Sequence, residues 1–414
     1  MRGEVIGIGN EILLGEIPNS NARWISERLA AVGVDVRQHQ VVGDDVGAIA
    51  EAFRLALTRA DVVVATGGLG PTGDDITREG LSEALRLKLE RRGEIEDFLR
   101  ERFRRMGREM PESNLRQADV PEGARYILPE RGTAPGLVLE IDGRKRIFVV
   151  PGVPAEMREM MEGAVLPELA GLTGGRTIVS RSLRSVGVAE AKVGELLHDL
   201  FNELANPTMA FLPAEGEVRI RLTATAGSAE EAERLIAPVA EEVRRRLGDA
   251  IFGEGEESLE EVVSELLAER GVWLACAESL TGGELSARIT AVPDASKHFS
   301  GSAVCYSPEA KRDVLGVSTE TIEGSGTVSE ECAREMARGA MRLFGADVAV
   351  SLTGVAGPEP LEGKPPGTVW IGLAAKGTEE AVTVVVPGDR TQVRRWAEQA
   401  ALNMLRRYLL RLKP

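Results

Sequence analysis

Residues 1–170 repeat one pattern, in which a short apolar run is followed by a longer stretch with apolar residues at helical spacing. This alternation is typical of β–α–β units around a mainly parallel sheet. It predicts strands at residues 4–8, 35–42, 62–66 and 146–150, and helices at residues 21–32, 46–59 and 155–169. The charged segment 85–109 also keeps apolar residues near helical spacing, which predicts a solvated helix or lid.

A glycine-rich run at residues 171–175 separates this domain from a smaller one. The smaller domain has predicted strands at 177–186 and 217–226 and predicted helices at 189–203 and 229–246. The pattern then starts again, with helices at 259–269, from 283 and at 391–412, and strands at 272–277, 302–306, 348–352, 368–374 and 381–386. We therefore expect an α/β protein, in which α/β domains with mainly parallel sheets (1–170 and 254–414) are joined by a small α+β domain (171–253).

Composition narrows the class of function. The 414 residues are 43% hydrophobic and 28% charged, with no apolar run that could cross a membrane and no secretory signal, so a cytoplasmic protein is expected. Three cysteines without a CxxC pair argue against disulfides and against a cysteine-rich zinc site, and reduced buried thiols are expected. The net charge of −15 disfavours direct nucleic-acid binding, which leaves small-molecule chemistry as the leading class.

The middle domain gives few chemical signals. Beyond the linker, residues 176–253 show no cluster of convergent polar residues and no GxxG loop of the kind that clamps nucleic acid. A linker or dimerisation role is therefore favoured, and we expect a homodimer.

Three polar, glycine-rich turns each follow a predicted strand of the first domain, at residues 7–11, 66–75 and 151–154. Carboxyl ends of parallel strands lie at one edge of a sheet, so the turns are predicted to face one crevice. Glycine lets backbone N–H groups approach an anion closely, which fits phosphate binding. The candidate binding residues in these turns are Gly9, Asn10, Gly67, Gly68 and Gly152.

Carboxylates accompany these turns, namely Glu11, Asp44, Asp74 and Asp75. Carboxylates that face a phosphate usually need Mg²⁺ or a related hard cation between them. The alternative for each aspartate taken alone is a helix cap or a turn residue. Together with three glycine turns, the carboxylates favour a metal-dependent site.

The motifs GIGNEILLGEIPNSN, TGGLGPTGDDIT and PGVPAEM resemble the molybdopterin-binding (MogA/MoeA-like) domain that begins CinA, the competence/damage-inducible protein family. The resemblance places Asp75 on an acidic residue after the TGG turn, and Ser20 and Asn21 on a polar pair beside the substrate. In CinA proteins it implies metal-dependent hydrolysis of ADP-ribose to AMP and ribose 5-phosphate. Relatives often carry histidine where this chain has Gly73, which leaves a metal-activated water as the nucleophile.

The segment AESLTGG, residues 277–283, follows an apolar strand and opens a helix, so Ser279 lies on a strand-to-helix turn. The backbone N–H groups of Thr281, Gly282 and Gly283 are placed to bind an oxyanion or a phosphate. A serine nucleophile needs a base, and His298, the one histidine of this domain, has no clear Asp partner in the sequence.

Lys311, in the segment YSPEAK, is the better candidate for the base. A desolvated lysine with a lowered pKa can take a proton from serine, whereas the alternative is a lysine on a surface helix. Lysine is scarce in this chain, which makes a lysine in a polar motif more informative. The turns TGVAGP and PGDR follow further apolar strands and suit a nucleotide ribose and phosphate, with Arg390 as a bidentate phosphate ligand.

The blocks AESLTGG, YSPEAK, TGVAGP, KPPGTVW and PGDR look like the C-terminal domain of CinA, the nicotinamide-nucleotide amidohydrolase (NMN deamidase) family. The resemblance implies that Ser279 is the nucleophile, that Lys311 is its base, and that Ser296 and Tyr306 assist the proton network. It also implies that the nucleotide is held by Thr353, Gly354, Gly357 and Arg390. The implied reaction converts NMN and water to nicotinic acid mononucleotide and ammonia, without a metal.

The expected protein is therefore a bifunctional enzyme of pyridine-nucleotide salvage. Its small-molecule partners would be NMN and ADP-ribose, with a divalent cation such as Mg²⁺ at the N-terminal site only. One alternative is a nucleotide-binding or regulatory protein, in which the family's link to DNA uptake reflects a partner interaction. Molybdopterin binding is another alternative, but it gives no reason for the amidase-like domain.

Overall fold

The computed structural model describes residues 1–214 and 216–412. The chain forms one compact unit from residues 1–179 and 223–235 and a second from residues 180–222 and 236 onward. No helix in the described ranges is both long enough and apolar enough to cross a membrane.

The first region is built on a six-stranded sheet with helices on both faces. The strands of the region are β1 (Arg2–Ile8), β2 (Asp35–Val42), β3 (Val62–Thr66), β4 (Leu89–Arg91), β5 (Asp119–Pro121), β6 (Arg125–Ile127), β7 (Gly136–Ile141) and β8 (Lys145–Val150). The helices are α1 (Asn10–Leu13), α2 (Ser20–Ala31), α3 (Val46–Arg59), α4 (Thr77–Leu85), α5 (Gly93–Arg105), α6 (Pro154–Met160) and α7 (Leu166–Leu172), with a 3₁₀ segment at Glu112–Ala118 and a π-helical turn at Met161–Val165.

The strand order β2-β1-β3-β8-β7-β6 explains where a site can form. Strands β2, β1, β3 and β8 are parallel, whereas β7 and β6 continue the sheet antiparallel. Every residue of β3 is buried, because helices cover both faces of a central strand. The carboxyl ends of β1, β3 and β8 therefore lie side by side, as the sequence predicted.

Several parts of this region differ from the prediction, which did not include α1, α4, β4 or β5. The hairpin of β6 and β7 was not predicted, and it makes the sheet mixed. The charged segment 85–109 is helical at α5, but Ile95 and Leu99 are buried in the core, so α5 is a packed helix. Helix α7 also runs to Leu172, so the predicted linker begins only at Thr173.

The middle region is α+β, as predicted. Its elements are β9 (Thr177–Val186), α8 (Glu190–Leu196), α9 (His198–Glu203), β10 (Thr208–Ala214), β11 (Glu217–Ala226), α10 (Ala229–Leu247), a 3₁₀ turn at Gly248–Ala250 and β12 (Ile251–Glu254). The sheet order is β10-β11-β9-β12, and the short strands β10 and β12 were not predicted. The predicted helix 189–203 is divided into α8 and α9.

The last region is again an α/β fold, on a five-stranded sheet. Its strands are β13 (Leu274–Glu278), β14 (Phe299–Val304), β15 (Val348–Gly354), β16 (Thr368–Ala375) and β17 (Thr378–Val385). Its helices are α11 (Leu259–Arg270), α12 (Glu284–Ala291), α13 (Pro308–Leu315), α14 (Glu330–Phe344) and α15 (Arg390–Arg411), with a 3₁₀ turn at Ala295–Lys297 and a π-helical turn at Thr321–Ser325.

The sheet order β14-β13-β15-β16-β17 places β13 in the parallel half, while β16 and β17 are antiparallel additions. Alternate residues of β13 face two different cores. Cys276 packs with residues of α11 and α15, and Ala277 packs with residues of α13 and α14. Cys276, Cys305 and Cys332 are all buried free thiols, as expected.

Helix α14 was not predicted, and its buried face consists largely of small residues. Small residues allow close backbone approach. A Cβ at Gly339 would lie 2.0 Å from the carbonyl oxygen of Leu315, the last residue of α13, and a Cβ at Gly372 would lie 2.3 Å from that of Ala333. Helix α14 is therefore in backbone contact with both α13 and the sheet.

Candidate active sites

Ser279 is the first residue after β13, a strand buried along its whole length. Its backbone N–H donates to the carbonyl oxygen of Leu352 on the neighbouring strand β15, at 3.0 Å. The chain turns through residues 280–283 and then enters α12. Ser279 is only 7% exposed, so the fold fixes both the backbone and the surroundings of its hydroxyl.

Lys311 lies on α13 and reaches the Ser279 side chain. Its Nζ lies 2.9 Å from Ser279 Oγ, 3.0 Å from the carbonyl oxygen of Cys305 and 3.4 Å from that of Tyr306. A neutral amine has two N–H donors and one lone pair. Because two carbonyls can accept both donors, the lone pair is left for the Ser279 hydroxyl proton. These contacts match a lysine that acts as a base.

Burial keeps this lysine ready to accept a proton. Lys311 is 2% exposed, although lysine is rarely buried without a partner charge. Burial lowers the pKa of the Lys311 ammonium, while Cys332, Cys305 and Glu362 act against this shift. The site therefore favours the neutral amine more than water does.

The lowered pKa predicts how Lys311→Met changes stability with pH. Between the folded-state pKa and the ordinary value of 10.5, the unfolded chain binds more protons at this position, so wild-type stability falls as the pH falls through that window. Methionine does not titrate, and each pKa unit is worth about 1.4 kcal/mol. Relative to the wild type, Lys311→Met should therefore have a higher free energy of unfolding in urea at pH 7 than at pH 10. If the difference in unfolding free energy between variant and wild type is the same at both pH values, the lowered pKa of Lys311 is contradicted.

Arg390 and Tyr306 come together at the surface. Arg390, the first residue of α15, donates from Nη1 to the carbonyl oxygen of Gly357 at 3.0 Å and from Nη2 to the Tyr306 hydroxyl at 2.7 Å. Tyr306 is 60% exposed, and only its backbone carbonyl contacts Lys311. The structure thus joins these predicted residues, but it gives the Tyr306 hydroxyl an arginine partner in place of the predicted proton network.

The prediction for Ser296 is wrong. Ser296 lies in the 3₁₀ turn before the amino end of β14, whereas Ser279 follows the carboxyl end of the parallel strand β13. Strand β13, five residues long, lies between the two ends. Ser296 and Ser279 are therefore separated by roughly 15 Å along the strand direction, at about 3.3 Å per residue. His298 lies at the same far end, where its Nε2 is 2.6 Å from Ser264 Oγ, so it cannot serve Ser279.

Thr353 and Gly354 are the last two residues of β15. Thr353 is 1% exposed, and its hydroxyl donates to the carbonyl oxygen of Thr327 at 2.6 Å. A Cβ at Gly354 would lie 2.6 Å from the carbonyl oxygen of Thr368, so glycine allows the close strand pairing there. The Thr353 side chain is thus committed to the protein interior, and nucleotide binding by these residues remains a prediction.

The turn after Ser279 uses its N–H groups differently from the prediction. Gly282 N–H donates to the Ser279 carbonyl at 3.1 Å, and Gly283 N–H donates to the Glu278 carboxylate at 2.9 Å. Both glycine donors are therefore occupied, and the prediction that they bind an oxyanion is wrong.

Two N–H groups of the turn have no acceptor among the described residues, although Leu280 is 3% and Thr281 0% exposed. Within the described ranges, no acceptor pairs with the N–H of Leu280 or of Thr281, while the Thr281 carbonyl accepts from Arg394 Nη2 at 2.7 Å. The residue directly after the nucleophile supplies an oxyanion donor in α/β-hydrolases. Leu280 and Thr281 are thus better placed than the glycines to bind a negatively charged oxygen next to Ser279.

The first unit contains a cavity of about 440 Å³ where the three glycine turns meet. The predicted site residues on its wall are Gly9, Glu11, Asn21, Asp44, Gly67, Gly68, Asp74, Asp75 and Gly152. Asn10 and Ser20 are neighbours of lining residues in the chain but are not part of the wall. The convergence that strand order predicts is therefore present in the structure.

Glycine is required at the base of this cavity. Gly67 and Gly68 have φ values of 116° and 64°, a backbone region that other residues rarely adopt. A Cβ at Gly67 would lie 2.1 Å from the carbonyl oxygen of Ile8, and one at Gly68 would lie 2.2 Å from Thr77 Oγ1. Gly67 therefore lets the turn after β3 approach the end of β1, and Gly68 lets the same turn approach the start of α4.

Asn21 joins two of the turns. Its Nδ2 donates to the Gly152 carbonyl at 2.7 Å and lies 3.2 Å from Thr66 Oγ1, which itself donates to the Pro151 carbonyl at 2.8 Å. The polar residue that the resemblance placed beside the substrate thus also holds the turns after β3 and β8 together.

The carboxylates of the cavity have the oxygen chemistry that a hard cation prefers, since Glu11, Asp44, Asp74 and Asp75 all line it. However, no group of three or more carboxylate, imidazole or thiol side chains among the described residues could hold a metal ion. Asp75 accepts from the backbone and hydroxyl of Thr72, and Asp44 accepts from a backbone N–H. As placed, the four do not fit a metal site, and no step proposed below passes through a metal.

Several residues that line the cavity were not predicted from the sequence. They are Gln117, Gly132, Thr133, Ala134 and Glu156. Burial, helped by the neighbouring Glu159, raises the pKa of Glu156. The run GTAPG before β7 offered a signal, because it is another glycine turn beside an apolar strand.

Three family models match successive parts of the chain. Residues 4–171 match the "Probable molybdopterin binding domain", residues 180–253 the "Damage-inducible protein CinA KH domain", and residues 256–409 the "CinA C-terminal domain". The protein is thus of a class that joins a molybdopterin-binding-like domain to a KH domain and a CinA-type α/β domain.

Relatives extend this match to the whole chain. A "CinA-like protein" of Frankia casuarinae is 46% identical over 99% of this chain and 96% of its own length, and a "Putative competence-damage inducible protein" of Symbiobacterium thermophilum is 44% identical over 99% of both. A solved structure of CinA from Thermoplasma acidophilum, described as of unknown function, is 36% identical over 41% of this chain and 97% of that one, with a TM-score of 0.39. The chain belongs to the CinA family of competence/damage-inducible proteins.

Proposed function

We propose that the second unit hydrolyses the carboxamide of NMN to give nicotinic acid mononucleotide and ammonia. The observation that carries this proposal is the buried pair of Ser279 and Lys311, with 2.9 Å between Oγ and Nζ and two carbonyls on the remaining donors of the amine. A serine nucleophile with an uncharged lysine base is a known arrangement for attack on amide carbonyls.

The first half of the reaction forms an ester and releases ammonia. Ser279 Oγ attacks the carboxamide carbon while Lys311 Nζ takes the hydroxyl proton. The N–H groups of Leu280 and Thr281 stabilise the negative charge on the former carbonyl oxygen. The C–N bond then breaks, and Lys311 gives its proton to the departing nitrogen, which leaves as ammonia.

The second half restores the enzyme. Water attacks the ester carbon, and Lys311 takes one of its protons. The bond to Ser279 Oγ breaks, the proton returns to that oxygen, and nicotinic acid mononucleotide leaves. Arg390 is exposed near the site and supplies a positive charge for the nucleotide phosphate.

The direct test incubates the purified protein with NMN and follows ammonia and nicotinic acid mononucleotide by chromatography. Nicotinamide and nicotinamide riboside serve as matched substrates, since they keep the amide but lack the phosphate. We expect turnover of NMN and much slower turnover of both others. Absence of ammonia release from NMN would remove this function.

We further propose that the first unit hydrolyses ADP-ribose to AMP and ribose 5-phosphate. The cavity of about 440 Å³, lined by glycine turns and carboxylates, suits a charged nucleotide. The assay compares ADP-ribose with and without Mg²⁺ and other divalent ions. If neither NMN nor ADP-ribose is consumed, a binding or regulatory role becomes the better account.

Two neighbouring aspartates provide a matched test of this cavity. Asp44 lines it, whereas Asp45 caps helix α3 by accepting from Ala48 N–H at 2.8 Å. We expect Asp44→Asn to lower ADP-ribose hydrolysis, because it removes a negative charge from the cavity wall. Asp45→Asn should keep the activity and lose at most about 1 kcal/mol of stability. Equal activity of both variants would show that Asp44 has no part in the reaction.

A further inference from the structure

We propose that Glu278 is a positioning residue for the amide hydrolysis, because its carboxylate holds the turn after Ser279 and so leaves the N–H groups of Leu280 and Thr281 for the oxyanion. This inference rests on the proposed amidase function. Glu278 would act through the turn that it holds and would not contact the substrate.

Both carboxylate oxygens of Glu278 accept hydrogen bonds from the protein. It is the last residue of β13 and is 0% exposed. Oε2 accepts from Gly283 N–H at 2.9 Å and Leu285 N–H at 3.1 Å, while Oε1 accepts from Ser286 N–H at 2.9 Å and from the Ser286 hydroxyl. A buried carboxylate is costly unless such donors surround it.

The position of Glu278 in the chain gives these contacts a consequence for catalysis. Gly283, which precedes α12, makes no side-chain cap, so the carboxylate five residues earlier caps the helix in its place. The start of α12 and the end of β13 are therefore tied together, with Ser279 in the loop between them. The helix N-terminus is neutralised by a protein carboxylate, which leaves it little capacity to bind a second anion.

The same loop is fixed at two other points. Ser279 N–H is held by the Leu352 carbonyl at 3.0 Å, and the Thr281 carbonyl is held by Arg394 at 2.7 Å. Arg394 also pairs with Glu284 at 2.7 Å. With Glu278 at the end of the turn, the N–H groups of Leu280 and Thr281 are the two in this turn without an acceptor among the described residues, and both residues are buried.

The substitution Glu278→Gln tests this role. Both carboxylate oxygens accept from backbone N–H groups, so either orientation of the glutamine amide turns its NH₂ toward a donor. We expect kcat for NMN to fall by ~10²-fold, since loss of an oxyanion donor or a shift of about 1 Å costs that much. KM should change by less than about 3-fold, because binding of the nucleotide is untouched.

Glu260→Gln is the matched control. Glu260 also contacts α12, through an ion pair with Arg288 at 2.7 Å, but makes no contact with the turn. We expect its kcat to stay within about 2-fold of wild type, by analogy with other partly exposed pairs. If Glu278→Gln is folded and keeps wild-type kcat, or if both variants lose kcat equally, the inference is overturned. Should Glu278→Gln not fold, Glu278→Asp keeps the charge with a shorter reach and must still lower kcat with KM unchanged.

A second readout separates this inference from the identity of the substrate. A fluorophosphonate probe reacts with an activated serine through a transition state with a negatively charged oxygen, and intact mass gives its rate of attachment to Ser279. We expect rapid labelling of the wild type, at least ~10-fold slower labelling of Glu278→Gln, and none of Ser279→Ala. Wild-type labelling without NMN turnover would refute the substrate and leave the role of Glu278 supported. Equal labelling of wild type and Glu278→Gln, or no labelling of either, would refute the role of Glu278.

Discussion

Replacing Ser279 with alanine should abolish ammonia release from NMN, with kcat lower by at least ~10⁴-fold, because the reaction then has no nucleophile to form the ester. The change removes one oxygen atom from a side chain that is already buried, so the fold should persist. Ammonia and nicotinic acid mononucleotide are measured by chromatography, and ADP-ribose hydrolysis is measured in the same preparation. We expect the ADP-ribose activity to be unchanged.

Ser296→Ala is the control for this substitution. Ser296 is exposed at the amino end of β14, on the opposite edge of the sheet from Ser279. It should keep wild-type kcat. Residual NMN turnover in Ser279→Ala above ~1% of wild type, or a large loss in Ser296→Ala, would contradict the assignment of the nucleophile.

Replacing Lys311 with methionine should lower kcat by about 10³–10⁴-fold, since a general base contributes up to roughly 10⁴-fold. The pH profile adds a second measurement. A base works only when unprotonated, so the wild-type kcat/KM should rise with pH up to the Lys311 pKa, which burial lowers from its ordinary value of 10.5. In Lys311→Met this rise should disappear.

Lys297→Met is the matched control, since the Lys297 side chain is 72% exposed and pairs with Asp294 at 2.9 Å. It should keep both kcat and the pH profile. A pH-dependent limb that survives in Lys311→Met would show that another group is the base.

The pairing of Ser279 with Lys311 was predicted from the sequence, and the structure shows why that was possible. Each residue closely follows the carboxyl end of a strand, β13 for Ser279 and β14 for the segment that leads to Lys311. The strands are parallel neighbours, so both residues lie on the same edge of the sheet. The sequence did not predict that β13 and β14 are neighbours, so the pairing of these two residues came from the chemistry of a buried lysine and from the family resemblance.

The prediction for Ser296 rested on the family resemblance and not on strand positions. Ser296 precedes both the predicted strand at 302–306 and the observed strand β14, which begins at Phe299. Residues before a strand and residues after its parallel neighbour lie at opposite ends of a sheet. The predicted strands therefore already separated Ser296 from Ser279, and the resemblance was carried over without this check.

The hydrogen-bond partners of the site residues could not be predicted from the sequence either. The glycines after Ser279 suggested a helix N-terminus open to an anion, yet the donor of Gly283 is occupied by Glu278, a residue from the preceding strand. In the first unit, the strand order correctly placed four carboxylates on one cavity wall, but whether Asp75 faces a ligand or Thr72 depends on local turn geometry.

The close contact between α13 and α14 has a consequence for substitutions in this chain. A methyl group at position 339 would meet the backbone of Leu315, at the end of the helix that carries Lys311. Any side chain there would therefore displace that end of α13. A mutation screen that follows only residues around Ser279 would overlook Gly339, although a change there moves the lysine that we propose as the base.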